Sequence, residues 1–329
     1  MPEHLVSLTR EELADVRLGA LAVVSDAAVF ALSGPGAVTC LQGLLTNDVE
    51  RPGDDSLVYG AVLTPKGMII ADMWVLRTPQ EVTLVGDAAA EVPLAETFQR
   101  SLPPRLARVS NQSGEMKVLW LVGRGAFEAL IRAGLGPLPS AAGRVTVIDT
   151  VRGRLLVALG HDTTPFAGFL VGRDGAIALA LDVLSGVHVA AHESRLLDGA
   201  RILAGWPQLG SEIGDRTLPQ EVRFDEIGGV SYTKGCYTGQ ETVARVHFRG
   251  HVNRELRGLR WDYPSEPGDA DVLKDGKPVG RISSTLLLDD RGLALASLRR
   301  ETAVGDTVEV GGRLATVVAL PFGQDDVDG

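Results

Sequence analysis

Cysteine is scarce in this chain, which contains only Cys40 and Cys236. Two cysteines exclude a disulfide-stapled scaffold and indicate a reducing compartment, although a single bridge between them stays open. The first residues, Met-Pro-Glu-His-Leu, also lack the basic start and apolar run of a secretory signal. We therefore expect a cytoplasmic protein.

Long apolar runs are missing as well. Asp26, Asp72 and Asp182 interrupt the richest segments, so no stretch approaches the roughly 20 apolar residues that cross a bilayer, and we expect no membrane contact. The formal net charge of −10 disfavours broad nucleic-acid binding, which needs many cations. The six histidines show no metal-ligand spacing, and neither a P-loop nor a dinucleotide fingerprint occurs. The sequence therefore predicts no bound metal or nucleotide.

Apolar residues are plentiful, at 45% of 329 residues, which is enough for two or three structural units. An apolar stripe from Ala37 predicts a helix that ends near Thr46. Two apolar runs around Pro65-Lys66-Gly67 predict a buried hairpin. Strands are also predicted at 82–85 and 117–122, and helices at 88–100 and 125–132.

Turn-forming residues divide the rest of the chain. A linker rich in Pro, Gly and small residues occupies 136–143, and strands and helices follow it. From residue 256 onward, short strands alternate with turns and no helical pattern remains, which predicts a small β-barrel. We expect an α+β protein with three parts, at 1–135, 136–250 and 251–329.

The run Lys-Gly-Cys-Tyr-Thr-Gly-Gln-Glu at 234–241, called the signature below, is the strongest functional signal. The cation of Lys234 lies two residues before Cys236 and would favour its thiolate. Gly235 and Gly239 allow a tight loop that approaches a neighbour closely. The signature therefore predicts a reactive thiol, and the alternative is that Cys236 is a small buried residue at a turn.

Arginines follow the signature within a short span, at positions 245, 249, 254, 257 and 260. An ordinary solvated face accounts for them better than tRNA binding, given the overall negative charge. A second notable residue is Asp72, which interrupts the apolar run 68–76 and would be costly if buried alone. The alternative interpretation is that Asp72 occupies a solvent-facing position on a strand.

The signature, followed by Val243-Ala-Arg245, resembles that of the YgfZ family, bacterial folate-binding proteins related to mitochondrial iron-sulfur assembly factors. The similarity includes Trp206-Pro207 and Leu218-Pro-Gln-Glu221 upstream of the signature. Leu44-Leu-Thr-Asn-Asp48 resembles a segment of the wider aminomethyltransferase superfamily, as does 63–67. The resemblance implies mixed α/β units in a ring around a tetrahydrofolate pocket, with a C-terminal antiparallel β-barrel.

The resemblance also implies residue roles. Cys236, Lys234 and Asp72 would be catalytic, with Asp72 beside the reactive folate nitrogen. A folate has a flat polar pterin, an aminobenzoyl bridge and an anionic tail, so its site needs polar groups, apolar walls and cations. The predicted folate-binding residues are Asn47, Asp48, Asp72, Arg201, Glu221, Arg223, Tyr232, Lys234 and Arg245. Of these, Arg201, Arg223 and Arg245 would meet the anionic tail. Asn47 and Asp48 are also typical of a turn after a helix, and each arginine alone is typical of a surface.

Three functions follow from the resemblance. The first is binding of tetrahydrofolate, or a one-carbon-substituted folate, in support of iron-sulfur enzymes that include tRNA-modifying ones. The second is an aminomethyltransferase, the T protein of glycine cleavage. Those enzymes lack this signature and carry a pterin-binding glutamate where this chain has Pro165-Phe-Ala-Gly-Phe-Leu170. The third is a non-catalytic folate-binding module, so the sequence leaves open whether the protein is an enzyme.

Overall fold

The computed structural model of the chain describes residues 4–328, and strands and helices interleave over its first part. In chain order the elements are β1 (His4–Ser7), α1 (Arg10–Leu18), β2 (Leu21–Ser25), β3 (Ala28–Ser33), α2 (Ala37–Gln42), β4 (Ser56–Leu63), β5 (Ile69–Arg77), β6 (Val82–Gly86), α3 (Glu91–Ser101), β7 (Arg108–Asn111), β8 (Met116–Val122) and α4 (Ala126–Ala133). The predicted hairpin is confirmed as β4 and β5.

The second part contributes further strands and helices before the C-terminal strands begin. These elements are β9 (Val145–Thr150), β10 (Gly153–Leu159), β11 (Gly168–Arg173), α5 (Asp174–Ser185), β12 (Ala191–His192), α6 (Ser194–Ala204) and α7 (Gln240–Arg249), with a 3₁₀ turn at Pro219–Val222. The C-terminal elements are β13 (Arg254–Trp261), β14 (Asp271–Lys274), β15 (Lys277–Leu287), β16 (Gly292–Arg299), β17 (Thr307–Val310), β18 (Arg313–Val318) and α8 (Gln324–Asp328).

Two sheets form the centre of the molecule. One sheet has five antiparallel strands in the order β4-β5-β6-β3-β7. The other sheet is mixed and has six strands in the order β12-β2-β8-β11-β10-β9. Their facing sides share one core, to which Tyr59 and Trp74 contribute from the first sheet and Phe169 from the second. Residues between α6 and α7, including Trp206 and Phe224, complete that core. Helices α2 and α3 cover the outer face of the first sheet, and α4 and α5 cover that of the second.

The predicted β-barrel and the α+β fold class are confirmed. Strands β15-β14-β17-β18-β13-β16 pair in that order and β15 also pairs with β16, which closes the barrel without a free edge. Strand β1 adds in parallel to β15, so the start of the chain joins its end. The six-stranded sheet takes β2 and β8 from before residue 135 and β9 to β11 from after it. We keep 1–135, 136–250 and 251–329 as a proposed division of the sequence, although residues 1–3 and 329 lie outside the described range.

Two predictions about helices were wrong. Helix α2 ends at Gln42 rather than near Thr46, because Gly43 caps it and Leu45 then pairs with Val62 of β4. The C-terminal part also has a helix, α8, which the turn-rich sequence did not predict. The carboxylate of Asp326 accepts a hydrogen bond from the Gly323 amide at its start. Within residues 4–328, no helix is long and apolar enough to cross a membrane.

Candidate functional site

A cavity of about 790 Å³ opens beside the core that the two sheets share. Three aromatic residues from separate elements meet at its wall. The ring centroid of Tyr59 lies 4.7 Å from that of Trp74 and 4.8 Å from that of Trp206, and the two tryptophans stack with their centroids 5.6 Å apart. Such contacts hold large flat rings rigidly. The cavity therefore presents a preformed aromatic wall to a ligand.

Asp72 lies behind this wall and is held by Tyr59, whose hydroxyl donates a 2.8 Å hydrogen bond to Oδ2. The other carboxylate oxygen, Oδ1, is buried and has no hydrogen-bond partner among the described residues. The residue as a whole keeps some exposure, but the enclosed oxygen excludes the alternative of a solvated carboxylate. Burial raises the pKa of Asp72 to about 6. Its carboxyl can therefore hold or release a proton near neutral pH.

Asn47 and Asp48 line the cavity, as the folate hypothesis requires, but most of their polar atoms are bound within the chain. The amide of Asn47 donates to the carbonyls of Tyr59 and Gly228 at 2.8 and 2.7 Å. Burial alone would raise the pKa of Asp48, yet hydrogen bonds from the Arg51 amide and other donors hold it below its usual value. Both residues therefore build the turn that carries the cavity wall.

Lys234 fixes the signature to this turn. Its ammonium is buried and donates to the carbonyls of Gln42, Leu45 and Asn47 at 2.6, 2.6 and 2.9 Å. A cation at these carbonyls stabilises the C-terminal end of α2. Burial lowers the pKa of Lys234 to about 8. The sequence did not predict this anchoring role.

The glycines of the signature differ from each other. Gly239 has φ +83°, and an added Cβ would lie 2.6 Å from the Thr64 carbonyl oxygen in the β4-β5 turn. Nothing lies within 4 Å of a Cβ added to Gly235. The predicted close approach therefore occurs at Gly239 and is wrong for Gly235. Cys236 between them is an exposed free thiol, which excludes the alternative of a buried apolar residue.

Two of the predicted tail-binding arginines serve the fold instead. Arg201 is buried and forms a 2.9 Å ion pair with Glu212. Arg223 is also buried and donates to backbone carbonyls of Ala204, Gly205 and Leu320. Arg245 is exposed on α7 and does not line the cavity. The guanidinium groups of the first two are therefore already committed to protein partners.

Glu221 and Tyr232 likewise have partners in the chain. The Glu221 carboxylate accepts from the Leu218 amide at 2.9 Å, and burial raises its pKa. The hydroxyl of Tyr232 donates to Asp225, and its ring stacks on His247 with a centroid distance of 3.6 Å. Burial also raises the pKa of Tyr232. Neither residue is among those that line the cavity.

The aromatic wall of Tyr59, Trp74 and Trp206 was not predicted from the sequence. A signal was available, because the chain has only four tryptophans and four tyrosines. Three of those tryptophans lie in one connected set of ring contacts with Tyr59. Arg51, Arg144 and His161, which also line the cavity, were not predicted either. Within the described part of the chain, no group of three or more His, Cys, Asp or Glu side chains is placed to hold a metal ion.

Comparison with known proteins places the chain among relatives of similar length. A family model described as the GCVT N-terminal domain matches residues 3–134. The tRNA-modifying protein YgfZ of Klebsiella pneumoniae (strain 342) is 29% identical over 299 residues, covering 88% of this chain and 87% of that protein. The protein of the same name from Escherichia coli O157:H7 (strain EC4115 / EHEC) is 30% identical over 293 residues, covering 85% and 86%.

A solved structure shares the fold of this chain. Glycine cleavage system aminomethyltransferase T from Bartonella henselae superposes with a TM-score of 0.77 and 21% sequence identity. The match covers 95% of this chain and 89% of that one. At this identity, the likeness is evidence for the fold and not for the reaction.

Proposed function

We propose a function from a premise that the relatives establish: this chain belongs to the YgfZ family. The proposed function is binding of tetrahydrofolate, or a one-carbon-substituted folate, in the central cavity. The protein would thereby support the assembly or repair of iron-sulfur enzymes in the cytoplasm, including tRNA-modifying ones. Cys236 is proposed as its reactive thiol.

The observation that carries the folate proposal is the enclosed carboxyl of Asp72, which Tyr59 of the aromatic wall holds behind the cavity. A volume of about 790 Å³ is suited to a ligand of this size, since small-molecule sites span roughly 300 to 1,000 Å³. Trp74 and Trp206 stack on each other and are largely buried, so they give the cavity a rigid apolar edge. A bound folate would supply a carrier for one-carbon units.

The residues around the cavity have separable roles in this proposal. Because burial raises its pKa to about 6, the carboxyl of Asp72 titrates close to neutral pH and can accept a proton from a bound ligand. Tyr59 orients that carboxyl through its hydroxyl and packs against both tryptophans. The tryptophans exclude water from the wall. These roles support ligand binding whether or not turnover occurs.

The position of Cys236 bears on how its thiol would act. The residue is exposed and is not among the described residues that line the cavity. This arrangement favours thiol exchange with the cluster or disulfide of a partner protein over attack on a ligand inside the cavity. Iron-sulfur enzymes are therefore the proposed partners.

Direct contact with tRNA has less support in the arginines that follow the signature. Arg257 pairs with Glu255, and Arg260 pairs with Asp326 on α8. Arg245, Arg249 and Arg254 are exposed and remain for such a contact. We therefore assign the link to tRNA modification to the enzymes that the protein supports.

Aminomethyl transfer to tetrahydrofolate is the second candidate function, because the fold and Asp72 suit both reactions. The segment 165–170 contributes Phe166 and Phe169 to the core and no carboxylate. Formation of methylene-tetrahydrofolate from an aminomethyl-lipoyl carrier protein would favour this candidate. Folate binding without either reaction would leave a non-catalytic module.

Tryptophan fluorescence tests folate binding. Titration with 5-formyltetrahydrofolate is expected to quench the emission of Trp74 and Trp206, which line the cavity. Trp74→Phe and Trp206→Phe should each reduce the ligand-dependent change. Trp261→Phe is the matched control, because Trp261 lies in the barrel core. No saturable change in the wild type, confirmed by calorimetry, would overturn the folate proposal.

Genetic complementation tests the thiol. In a strain that lacks this family's activity, Cys236→Ala should fail to restore the activity of an iron-sulfur tRNA-modifying enzyme. Cys40→Ala is the control, since it removes the other, partly buried cysteine on α2. Equal complementation by both variants would remove the thiol from the proposal.

A further inference from the structure

We propose that Arg144 and His161 form an anion-binding rim at the mouth of the cavity, and that this rim receives the carboxylates of a folate's glutamate tail. This inference rests on the proposed function and names a part of the ligand that it would recognise. Arg144 and His161 would take the tail-binding role that was predicted from the sequence for Arg201 and Arg223. Arg201 and Arg223 are buried and bound to protein partners, so they are not available to a ligand.

The backbone at Arg144 is fixed at the seam between the two central sheets. The Leu57 amide donates to the Gly143 carbonyl at 2.8 Å, and the Leu159 amide donates to the Arg144 carbonyl at 3.0 Å. Ser56 and Arg144 also form an isolated β-bridge. The end of the segment that the sequence predicted as a linker is thus a rigid edge of the cavity.

Gly143 brings His161 against this edge. It has φ +72°, and a Cβ added there would lie 2.4 Å from Cε1 of the His161 imidazole. Only a glycine leaves room for the ring in that position. Arg144 and His161 therefore lie side by side at the cavity, although 17 positions separate them in the sequence.

Among the charged residues that line the cavity, Arg144 is the cation without an ion pair; Asp162, next to His161, also lines it and is an acid without an ion pair among the described residues. Arg51 already pairs with Asp48 at 3.1 Å and donates to the Thr233 carbonyl at 2.6 Å. Glu226 is paired with Arg223. Arg144 makes only a long 3.4 Å hydrogen bond to the Asp54 carbonyl and has no ion-pair partner among the described residues. A carboxylate at the rim would therefore gain a guanidinium without displacing another acid.

Binding of three ligands separates the rim from the rest of the site. Wild-type protein is titrated with tetrahydropteroate, which has no glutamate, and with tetrahydrofolate carrying one or three glutamates. We expect affinity to rise with the number of glutamates, and this preference to shrink between about 0.05 M and about 0.5 M salt. Arg144→Gln and, separately, His161→Gln should reduce the preference roughly twofold to fivefold, as for exposed ion pairs. Tetrahydropteroate binding should not change in either variant.

Arg152→Gln is the matched control, because Arg152 is an exposed arginine paired with Asp182 and does not line the cavity. Circular dichroism establishes that each variant is folded. Equal wild-type affinity for all three ligands would overturn the rim while leaving folate binding intact. If both rim variants keep the wild-type preference for ligands with more glutamates, the rim is likewise overturned and folate binding is left intact. If none of the three ligands binds, the proposed function itself is overturned.

Discussion

Asp72 shows how burial changes the chemistry of a single carboxyl group. Its pKa rises from 3.8 to about 6, because the carboxylate has left water and gains only one hydrogen bond, from Tyr59. The folded protein therefore binds this proton more tightly than the unfolded chain. Above pH 6 the folded state carries the cost of a buried charge, and this cost is relieved as the pH falls from 6 toward 3.8.

Asp72→Asn should therefore stabilise the protein, and more so at high pH. One pKa unit corresponds to about 1.4 kcal/mol, so the gain at about pH 8 can reach about 3 kcal/mol and should shrink at about pH 5. Urea-induced unfolding at both pH values measures it. Asp182→Asn, on the exposed face of α5, is the control. A gain in stability that is equal at the two pH values, or a loss of stability at both pH values, would contradict the burial of this charge.

Lys234 shows a buried charge that holds backbone, because its ammonium donates to three carbonyls. Lys234→Met would leave the carbonyls of Gln42, Leu45 and Asn47 without their donor. We expect a loss of about 2–4 kcal/mol in the free energy of unfolding. Lys66→Met, in the exposed hairpin turn, should change it by less than about 0.5 kcal/mol. Equal stability of the two variants, measured by denaturation, would show that the ammonium does not anchor the signature.

At the scale of elements, the signature forms a loop whose end is pressed against the β4-β5 turn. The contact depends on Gly239, which has φ +83° and lies against the Thr64 carbonyl. Gly239→Ala should cost about 1–3 kcal/mol, because it introduces both strain and overlap.

Gly235→Ala is a control within the same motif, since an added Cβ there meets open space. It should change the free energy of unfolding by less than about 0.5 kcal/mol. Thermal denaturation of both variants compares the two glycines directly. A reversed order of the two costs would mean that the loop does not dock as described.

Elements with a strong local pattern were predictable from the sequence. The β4-β5 hairpin has apolar runs on either side of a Pro/Gly turn, and the barrel strands are separated by turn-forming residues. The end of α2 was not predictable, because it depends on the pairing of Leu45 with Val62 and on the bond from Lys234, almost 200 positions away, to the Gln42 carbonyl. Local patterns therefore define an element more reliably than its boundary.

On the scale of the whole molecule, the barrel is joined to the core through a buried carboxylate. Glu212 accepts hydrogen bonds from Ser283 and Ser284 of β15 at 2.7 and 2.6 Å, and it pairs with Arg201. Arg201 in turn donates to the Trp206 carbonyl at the cavity wall. These contacts of Glu212 and Arg201, called the junction below, therefore link the barrel to the candidate site.

Glu212→Ala should lower the free energy of unfolding by about 3–5 kcal/mol, because it leaves the charge of Arg201 buried without its partner. Chemical denaturation measures this loss. Glu193→Ala, which removes an exposed carboxylate paired with Arg195, should have little effect. Similar stabilities of the two variants would show that the junction contributes nothing to the free energy of unfolding.

The candidate site was only partly predictable from the sequence. Like the contacts around Glu212, most of it depends on residues that lie far apart in the chain. Asp72 could be identified because a charge within an apolar run is costly unless it is used. The partners of Arg201 and Arg223, and the meeting of Tyr59, Trp74 and Trp206, depend on contacts between distant parts of the chain. The six-stranded sheet shows the same limit, since its strands come from both sides of residue 135.

The central claim is that the aromatic-walled cavity binds a folate. A crystal structure of the protein grown with 5-formyltetrahydrofolate tests this claim most directly. We predict ligand density inside the cavity, in contact with Trp74 and Trp206 and on the side of Tyr59 that leads to Asp72. A ligand bound elsewhere on the molecule, or a cavity without ligand density at a concentration that saturates binding in solution, would contradict the claim.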